Sequence, residues 1–72
     1  MYAVLIVDDE EPVLESFSYL VNSALEDFTV AGTAHTGAEA IAVARSNRPD
    51  VVLMDIAMPG MDGIDTIREL QH

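Results

Sequence analysis

The chain has 72 residues, half of them hydrophobic, and its 13 acidic and 3 basic side chains give a formal net charge of −10 at pH 7. This charge opposes direct binding to nucleic acid or anionic lipid, because both depend on clustered Lys and Arg. The absence of cysteine excludes disulfides and thiolate metal sites. No apolar stretch reaches the roughly 20 residues that span a bilayer, and no signal peptide is evident. We therefore expect a soluble, cytoplasmic protein without membrane contact.

Three apolar runs have the character of strands: residues 4–7, residues 28–34 and residues 50–55. The middle run has the weakest strand pattern of the three. Continuous runs of β-branched and aliphatic residues are typical of parallel strands that are covered on both faces. The sequence therefore predicts a small parallel sheet.

Helical patterns separate these runs. Pro12 suits the first turn of a helix, and apolar residues at helical spacing predict the face that packs on the sheet: Val13, Phe17, Leu20, Val21, Ala24 and Leu25. Thr36 and Glu39 have the form of a capping box, which predicts a second helix over residues 37–47 that ends before Pro49. Asp62 is predicted to cap a third helix. The alternating order predicts a doubly wound α/β fold with strand order 2-1-3.

Carboxylates directly follow the apolar residues of the first strand (4–7) and of the third strand (51–54), at Asp8, Asp9 and Asp55. The carboxyl ends of neighbouring parallel strands share one edge of a sheet, with strands about 4.8 Å apart. Converging carboxylates repel one another unless a hard divalent cation lies between them. The sequence therefore predicts an acidic site for Mg²⁺.

The motifs LIVDDE (residues 5–10) and PDVVLMDIAMPGMDG (residues 49–63) resemble the receiver domain of two-component response regulators. The resemblance covers the whole chain and implies a flavodoxin-like fold. It implies that Asp55 accepts a phosphoryl group from a sensor histidine kinase, and that Asp8, Asp9 and Asp55 hold Mg²⁺ together with the main-chain carbonyl of Ala57. It further implies a signalling domain, not an enzyme, with an output domain in the parent protein.

The chemistry of these residues agrees with the resemblance. A carboxylate can attack a phosphoryl group to form an acyl phosphate, but the anionic phosphoryl group is repelled by nearby acids. Mg²⁺ relieves that repulsion and needs only one or two carboxylates, because it usually keeps several waters. Positioning and charge neutralisation supply nearly all the catalysis that phosphoryl transfer requires.

The family pattern continues through a fourth strand ending in Ser or Thr and a fifth ending in Lys, and this chain contains neither. We therefore expect residues 1–72 to be the N-terminal portion of one receiver domain, with strands 1 to 3 and helices 1 to 3, and to accept a phosphoryl group poorly by itself. Ala57 stands where the family more often has a polar residue.

Three other functions compete with this interpretation. A metal-dependent phosphohydrolase with an aspartate nucleophile commonly needs an acid at the position of Ala57. A flavodoxin-like nucleotide binder needs a first loop rich in Gly and Ser or Thr, whereas this loop is acidic. A self-associating half-domain would form a homo-oligomer through apolar residues of the third strand and third helix, namely Val51, Leu53, Ile64, Ile67 and Leu70. His35 is interpreted as a turn residue.

Overall fold

The computed structural model describes residues 1–54, which form three strands and two helices in alternation. These are β1 (Tyr2–Val7), α1 (Glu11–Ala24), β2 (Phe28–Ala34), α2 (Gly37–Asn47) and β3 (Val51–Met54). The sheet has the order β2-β1-β3, and both pairs are parallel. The predicted strand order and the bounds of β2 and α2 are confirmed. The predicted third helix lies outside the described residues.

The central strand β1 supplies side chains to two cores, one on each face of the sheet. Val4 and Ile6 pack with residues of α1, while Leu5 and Val7 pack with residues of α2, and all four are no more than 2% exposed. Successive side chains of a strand point to opposite faces. The continuous apolar run of β1 follows from this double coverage, because neither face of the strand meets water.

The buried face of α1 differs from the predicted one. Leu14 and Val21 are 1% and 2% exposed, whereas Phe17 and Leu20 are 45% and 48% exposed. Residues seven apart lie almost directly above one another on a helix, so Leu14 and Val21 form one narrow stripe. The prediction was correct for Val21 and missed Leu14. It was wrong for four exposed residues, namely Phe17, Leu20, Ala24 and Leu25, because an apolar pattern wider than the contact stripe does not reveal which part of it meets the sheet.

The start of α2 confirms half of the predicted capping box. The Thr36 hydroxyl accepts a hydrogen bond from the Glu39 N–H at 3.2 Å. The Glu39 carboxylate, however, accepts from the N–H of His35 at 3.1 Å, one residue earlier than the standard motif. At the other end, Arg48 adopts the left-handed region (φ 47°) and donates its N–H to the Ala44 carbonyl. Pro49 follows, as expected for a helix end.

A bulge in β2 was not predicted. Val4 pairs with Val30 and Leu5 pairs with Gly32, so Ala31 is an extra residue in β2. Val30 packs on the α1 side and Ala34 on the α2 side. Without the extra residue these two even-numbered positions would share one face. The bulge therefore lets β2 contribute apolar side chains to both cores.

Two asparagines satisfy the backbone at the bulge. The Asn22 side chain in α1 accepts a hydrogen bond from the Val30 N–H at 3.3 Å. The Asn47 amide at the end of α2 donates to the Ala31 carbonyl at 2.7 Å. Each helix thus supplies one polar group to a point where the regular strand ladder is interrupted.

Asp50 fixes the start of β3 against β1. Its backbone N–H donates to the Ala3 carbonyl at 2.8 Å, and its carboxylate accepts from the Ala3 N–H at 2.7 Å. The resulting register pairs Val7 with Met54. Consequently the end of β1 is level with the last described residue of β3. Neither helix in this part of the chain is long and apolar enough to cross a membrane.

Candidate functional site

The acidic loop of residues 8–10 joins β1 to α1 at the carboxyl edge of the sheet. Val7, the last residue of β1, is paired with Ala34 of β2 on one side and with Met54 of β3 on the other. The Asp8 N–H continues the ladder by donating to the Ala34 carbonyl at 3.0 Å. The central strand therefore delivers Asp8 and Asp9 to this edge, as the sequence predicted.

The two aspartates of this loop have different surroundings. Asp8 is half-buried, and one of its carboxylate oxygens accepts a hydrogen bond from the Glu10 N–H at 2.9 Å, which closes a turn before α1. Asp9 is exposed. Over residues 1–54, neither aspartate forms an ion pair with a cationic side chain. Asp8 shapes the loop, and Asp9 is accessible from solvent.

The predicted partners of this pair, Asp55 and the Ala57 carbonyl, lie outside the described residues. β3 is described as far as Met54, which is level with Val7, and Asp55 is the next residue in the sequence. The register of the sheet thus brings the chain from β3 to the edge at which β1 presents Asp8.

The donor atoms of the acidic loop are suited to a hard cation. Carboxylate oxygens are the ligands that Mg²⁺ prefers, and one or two of them suffice beside water. The part of the chain described here holds no cluster of three or more side chains able to bind a metal ion. Asp8 and Asp9 fit Mg²⁺ in their chemistry, and a complete protein site would need further oxygen ligands.

His35 forms a contact that the sequence did not predict. It follows the last residue of β2, and its Nε2 contacts the carboxylate of Glu11, the first residue of α1. Its Nδ1 lies 3.5 Å from the carboxylate of Glu39 in α2. The contact with Glu39 could have been inferred from the sequence, because Glu39 is only four residues after His35. The contact with Glu11 could not, because the two residues are 24 positions apart in the chain. The prediction of a plain turn residue was incomplete.

The electrostatics of the trio His35, Glu11 and Glu39 favour a protonated imidazole with an ionised carboxylate beside each ring nitrogen. The hydrogen bond with Glu11 is the main cause that raises the pKa of His35 above its ordinary value of 6.5. The backbone N–H of His35 is the main cause that lowers the pKa of Glu39 below 4.5. The two carboxylates engage opposite nitrogens of the ring, so the trio bridges two helices and does not converge on one metal ion.

A cavity of about 290 Å³ lies next to the acidic loop. Phe17 and Leu53, both more than 40% exposed, contribute to its walls. Among residues 1–54 the lining is mainly apolar and comprises Ile6, Val7, Asp8, Phe17, Leu53 and Met54. Phe17 therefore borders this cavity and is not part of the core under α1.

Comparison with known proteins places this arrangement in a family. The model of the response regulator receiver domain matches residues 4–72. The chain is 42% identical over 67 residues to the uncharacterized transcriptional regulatory protein YxjL of Bacillus subtilis. The matched region covers 93% of this chain and 30% of YxjL.

Solved structures agree with the sequence comparison. The response regulator domain of Thermotoga maritima CheB superposes with a TM-score of 0.89 at 34% identity, over 99% of this chain and 52% of that one. The CheX–CheY–BeF3–Mg²⁺ complex of Borrelia burgdorferi gives a TM-score of 0.83 at 33% identity, over 97% and 52%. The chain thus spans about half of these solved chains and under a third of YxjL. With its sheet order, its acidic edge and these matches, the chain belongs to the receiver domain family of two-component response regulators.

Proposed function

We propose that this chain is a phosphoacceptor module in which Asp55 takes a phosphoryl group from a sensor histidine kinase. In this proposal Asp8, Asp9, Asp55 and the main-chain carbonyl of Ala57 hold Mg²⁺. The observation that supports it most strongly is the register of the sheet, because β1 ends at Val7, which is level with Met54 and directly precedes Asp8 and Asp9. Receiver domains are signalling domains, and phosphorylation and Mg²⁺ binding are typical of them.

The proposed transfer is an in-line displacement at phosphorus. A carboxylate oxygen of Asp55 forms the new bond to phosphorus, the bond from phosphorus to the kinase histidine nitrogen breaks, and its electron pair remains on that nitrogen. When bound, Mg²⁺ would neutralise the charge on the phosphoryl oxygens. The chain's own contribution is to hold the carboxylates in position. The carboxylate of Asp8 is held by the hydrogen bond that it accepts from the Glu10 N–H.

The comparisons support the cation and the partners at a general level. The B. burgdorferi complex contains a CheY protein with BeF3 and Mg²⁺. Receiver domains interact with histidine kinases and belong to larger regulators. We infer that residues 1–72 are the N-terminal portion of one receiver domain and that an output domain belongs to the parent protein.

Two measurements test this proposal. Titration of Mg²⁺, followed by amide chemical shifts, should perturb residues 8–10 and 55–57 together, and Asp9→Asn should abolish the change. Asp27→Asn is a matched control, because Asp27 precedes β2 at the opposite edge of the sheet. Shifts confined to Asp62 and Asp65, or an equal loss in both variants, would contradict the assignment.

The phosphoacceptor itself is tested by labelling. A small phosphodonor with Mg²⁺ should label a parent protein that includes the fourth and fifth strands, and Asp55→Asn should abolish that labelling. We expect the 72-residue chain to be labelled less than the parent, because it has no lysine to bind the phosphoryl oxygens. Equal labelling of both proteins would show that these strands are dispensable, and full labelling of Asp55→Asn would move the site elsewhere.

Self-association is a second candidate property, and the exposed apolar surface of β3 favours it. Leu53 is 42% exposed and borders the cavity beside Phe17. Burial of such surface contributes roughly 25 cal/mol per Å². Sedimentation at several concentrations should show a dimer that strengthens with salt, since screening reduces repulsion between chains of charge −10. Leu53→Gln should weaken it and Tyr19→Ser should not. A monomer at all concentrations would exclude it.

A further inference from the structure

We propose that His35 is a positioning residue for the cation site, because it ties the starts of α1 and α2 together and so holds the acidic loop of residues 8–10. This inference rests on the proposed function, in which Asp8 and Asp9 bind Mg²⁺. It assigns a role to a side chain that has no place in the acidic motif itself.

The contacts of His35 place it at the junction of three elements. Its preceding residue, Ala34, ends β2 and accepts the hydrogen bond from the Asp8 N–H at 3.0 Å. Its Nε2 contacts Glu11, which is two residues after Asp9. Its Nδ1 lies 3.5 Å from Glu39. One imidazole therefore joins two helices that pack on opposite faces of the sheet.

These contacts confine the acidic loop at both ends. At its start, the Asp8 N–H is bound to Ala34 and the Asp8 carboxylate accepts from the Glu10 N–H at 2.9 Å. At its end, Glu11 is bound to His35. The Asp9 side chain, between these two anchored ends, is exposed to solvent. The direction in which Asp9 points thus depends on the loop backbone. Preorganising a ligand in this way reduces the ordering cost of binding.

A pure charge effect predicts the opposite result, which makes the proposal testable. A protonated imidazole is a cation, and a cation near a Mg²⁺ site repels the metal. Its removal would also leave Glu11 and Glu39 unneutralised, which would attract the metal more strongly. If charge alone mattered, loss of His35 would tighten Mg²⁺ binding. If positioning matters more, loss of His35 weakens it.

The experiment is a titration of MgCl₂ into the wild-type chain, His35→Ala and His35→Gln, followed by the amide shifts of Asp8 and Asp9. We expect the dissociation constant for Mg²⁺ to rise up to about tenfold in His35→Ala, the lower end of the range for residues that support metal ligands. His35→Gln keeps an N–H donor for one carboxylate, so its dissociation constant for Mg²⁺ should lie between those of the wild type and of His35→Ala. Thr33→Ala, an exposed position two residues earlier in the chain, should bind as the wild type does.

The possible results separate the two proposals. If the wild-type chain shows no Mg²⁺ shift at Asp8 and Asp9, the proposed function fails, and this inference fails with it. If the wild type binds Mg²⁺ and His35→Ala binds it equally or more tightly, only the role of His35 is overturned. An equal loss in His35→Ala and His35→Gln would also overturn it, because the N–H donor would then be irrelevant. The dispersion of the amide spectrum verifies that each variant is folded.

Discussion

The bulge in β2 and the acidic loop after β1 are both rich in polar groups, but they use those groups differently. At the bulge, the side chains of Asn22 and Asn47 form hydrogen bonds with the backbone of Val30 and Ala31, so each polar side chain satisfies a backbone group. At the acidic loop, Asp9 is exposed and no cation among residues 1–54 is paired with it.

This difference separates polar residues that stabilise the fold from polar residues that are available to bind a ligand. A polar side chain that satisfies the backbone contributes to stability, and its loss leaves an unpaired group. A set of like charges without protein partners contributes little to stability or opposes it. Replacement of the asparagines at the bulge should therefore change the free energy of unfolding, whereas replacement of Asp9 at the loop should change metal binding.

The largest expected effect on stability is at Gly32, beside the bulge. A Cβ at this position would lie 2.7 Å from Val43 Cγ1 and 3.3 Å from Asn47 Nδ2. Because the valine side chain is stiff, Gly32→Ala should destabilise the fold by about 1 to 3 kcal/mol, as overpacking does. Chemical denaturation measures the change. Val43→Ala in the same chain should recover part of the loss, and simple additivity of the two changes would contradict this account.

Asn47 should give the next largest effect. Its amide donates to the Ala31 carbonyl at 2.7 Å, so Asn47→Ala should lower the free energy of unfolding by about 1 kcal/mol, the usual net contribution of one hydrogen bond. Ser46→Ala is the matched control, because Ser46 is also exposed near the end of α2. Equal unfolding curves for the two variants would mean that the bulge needs no side-chain support.

Asp9 provides the contrasting case at the acidic loop. Asp9→Asn should leave the free energy of unfolding within about 0.5 kcal/mol of the wild type, as for surface residues without special contacts. The same variant should lose the Mg²⁺-dependent shifts of residues 8–10. Denaturation without metal and the Mg²⁺ titration together test the contrast. A large loss of stability in Asp9→Asn without metal would show that Asp9 is a structural residue.

The smallest expected effect is the pH dependence that comes from His35 and Glu39. The pKa of His35 is raised, so its stabilising contribution is complete below 6.5 and is lost as the pH rises through the folded-state pKa. The pKa of Glu39 is lowered, so its contribution is complete above 4.5 and is lost as the pH falls through its folded-state pKa. Both contributions are complete between these two ordinary values.

Thermal unfolding of the wild type and of His35→Gln across this range measures the effect. The difference in melting temperature between them should be greatest between pH 4.5 and 6.5 and should shrink at higher pH. Because these side chains are largely exposed, the difference should be small. A difference that grows above neutral pH would contradict the proposed bridge.

Much of this molecule could be predicted from local patterns. The apolar run of β1, the Thr36 cap and Pro49 each act within a few residues, and they correctly predicted the elements in this part of the chain. The topology followed as well, because right-handed crossovers between parallel strands leave few alternatives. Asp8 and Asp9 were identified by their place after β1, and the match of residues 4–72 agrees with the resemblance that their motif indicated.

What only the tertiary structure decided depends on contacts between distant residues. The bulge at Ala31 is invisible in the sequence, because it arises from fitting β2 to cores on both faces of the sheet. The burial of Leu14 instead of Phe17 depends on how α1 is rotated against the sheet. His35 meets Glu11 across 24 residues. Local propensity carries no information about such pairs, since they exist only after the helices have packed on the sheet.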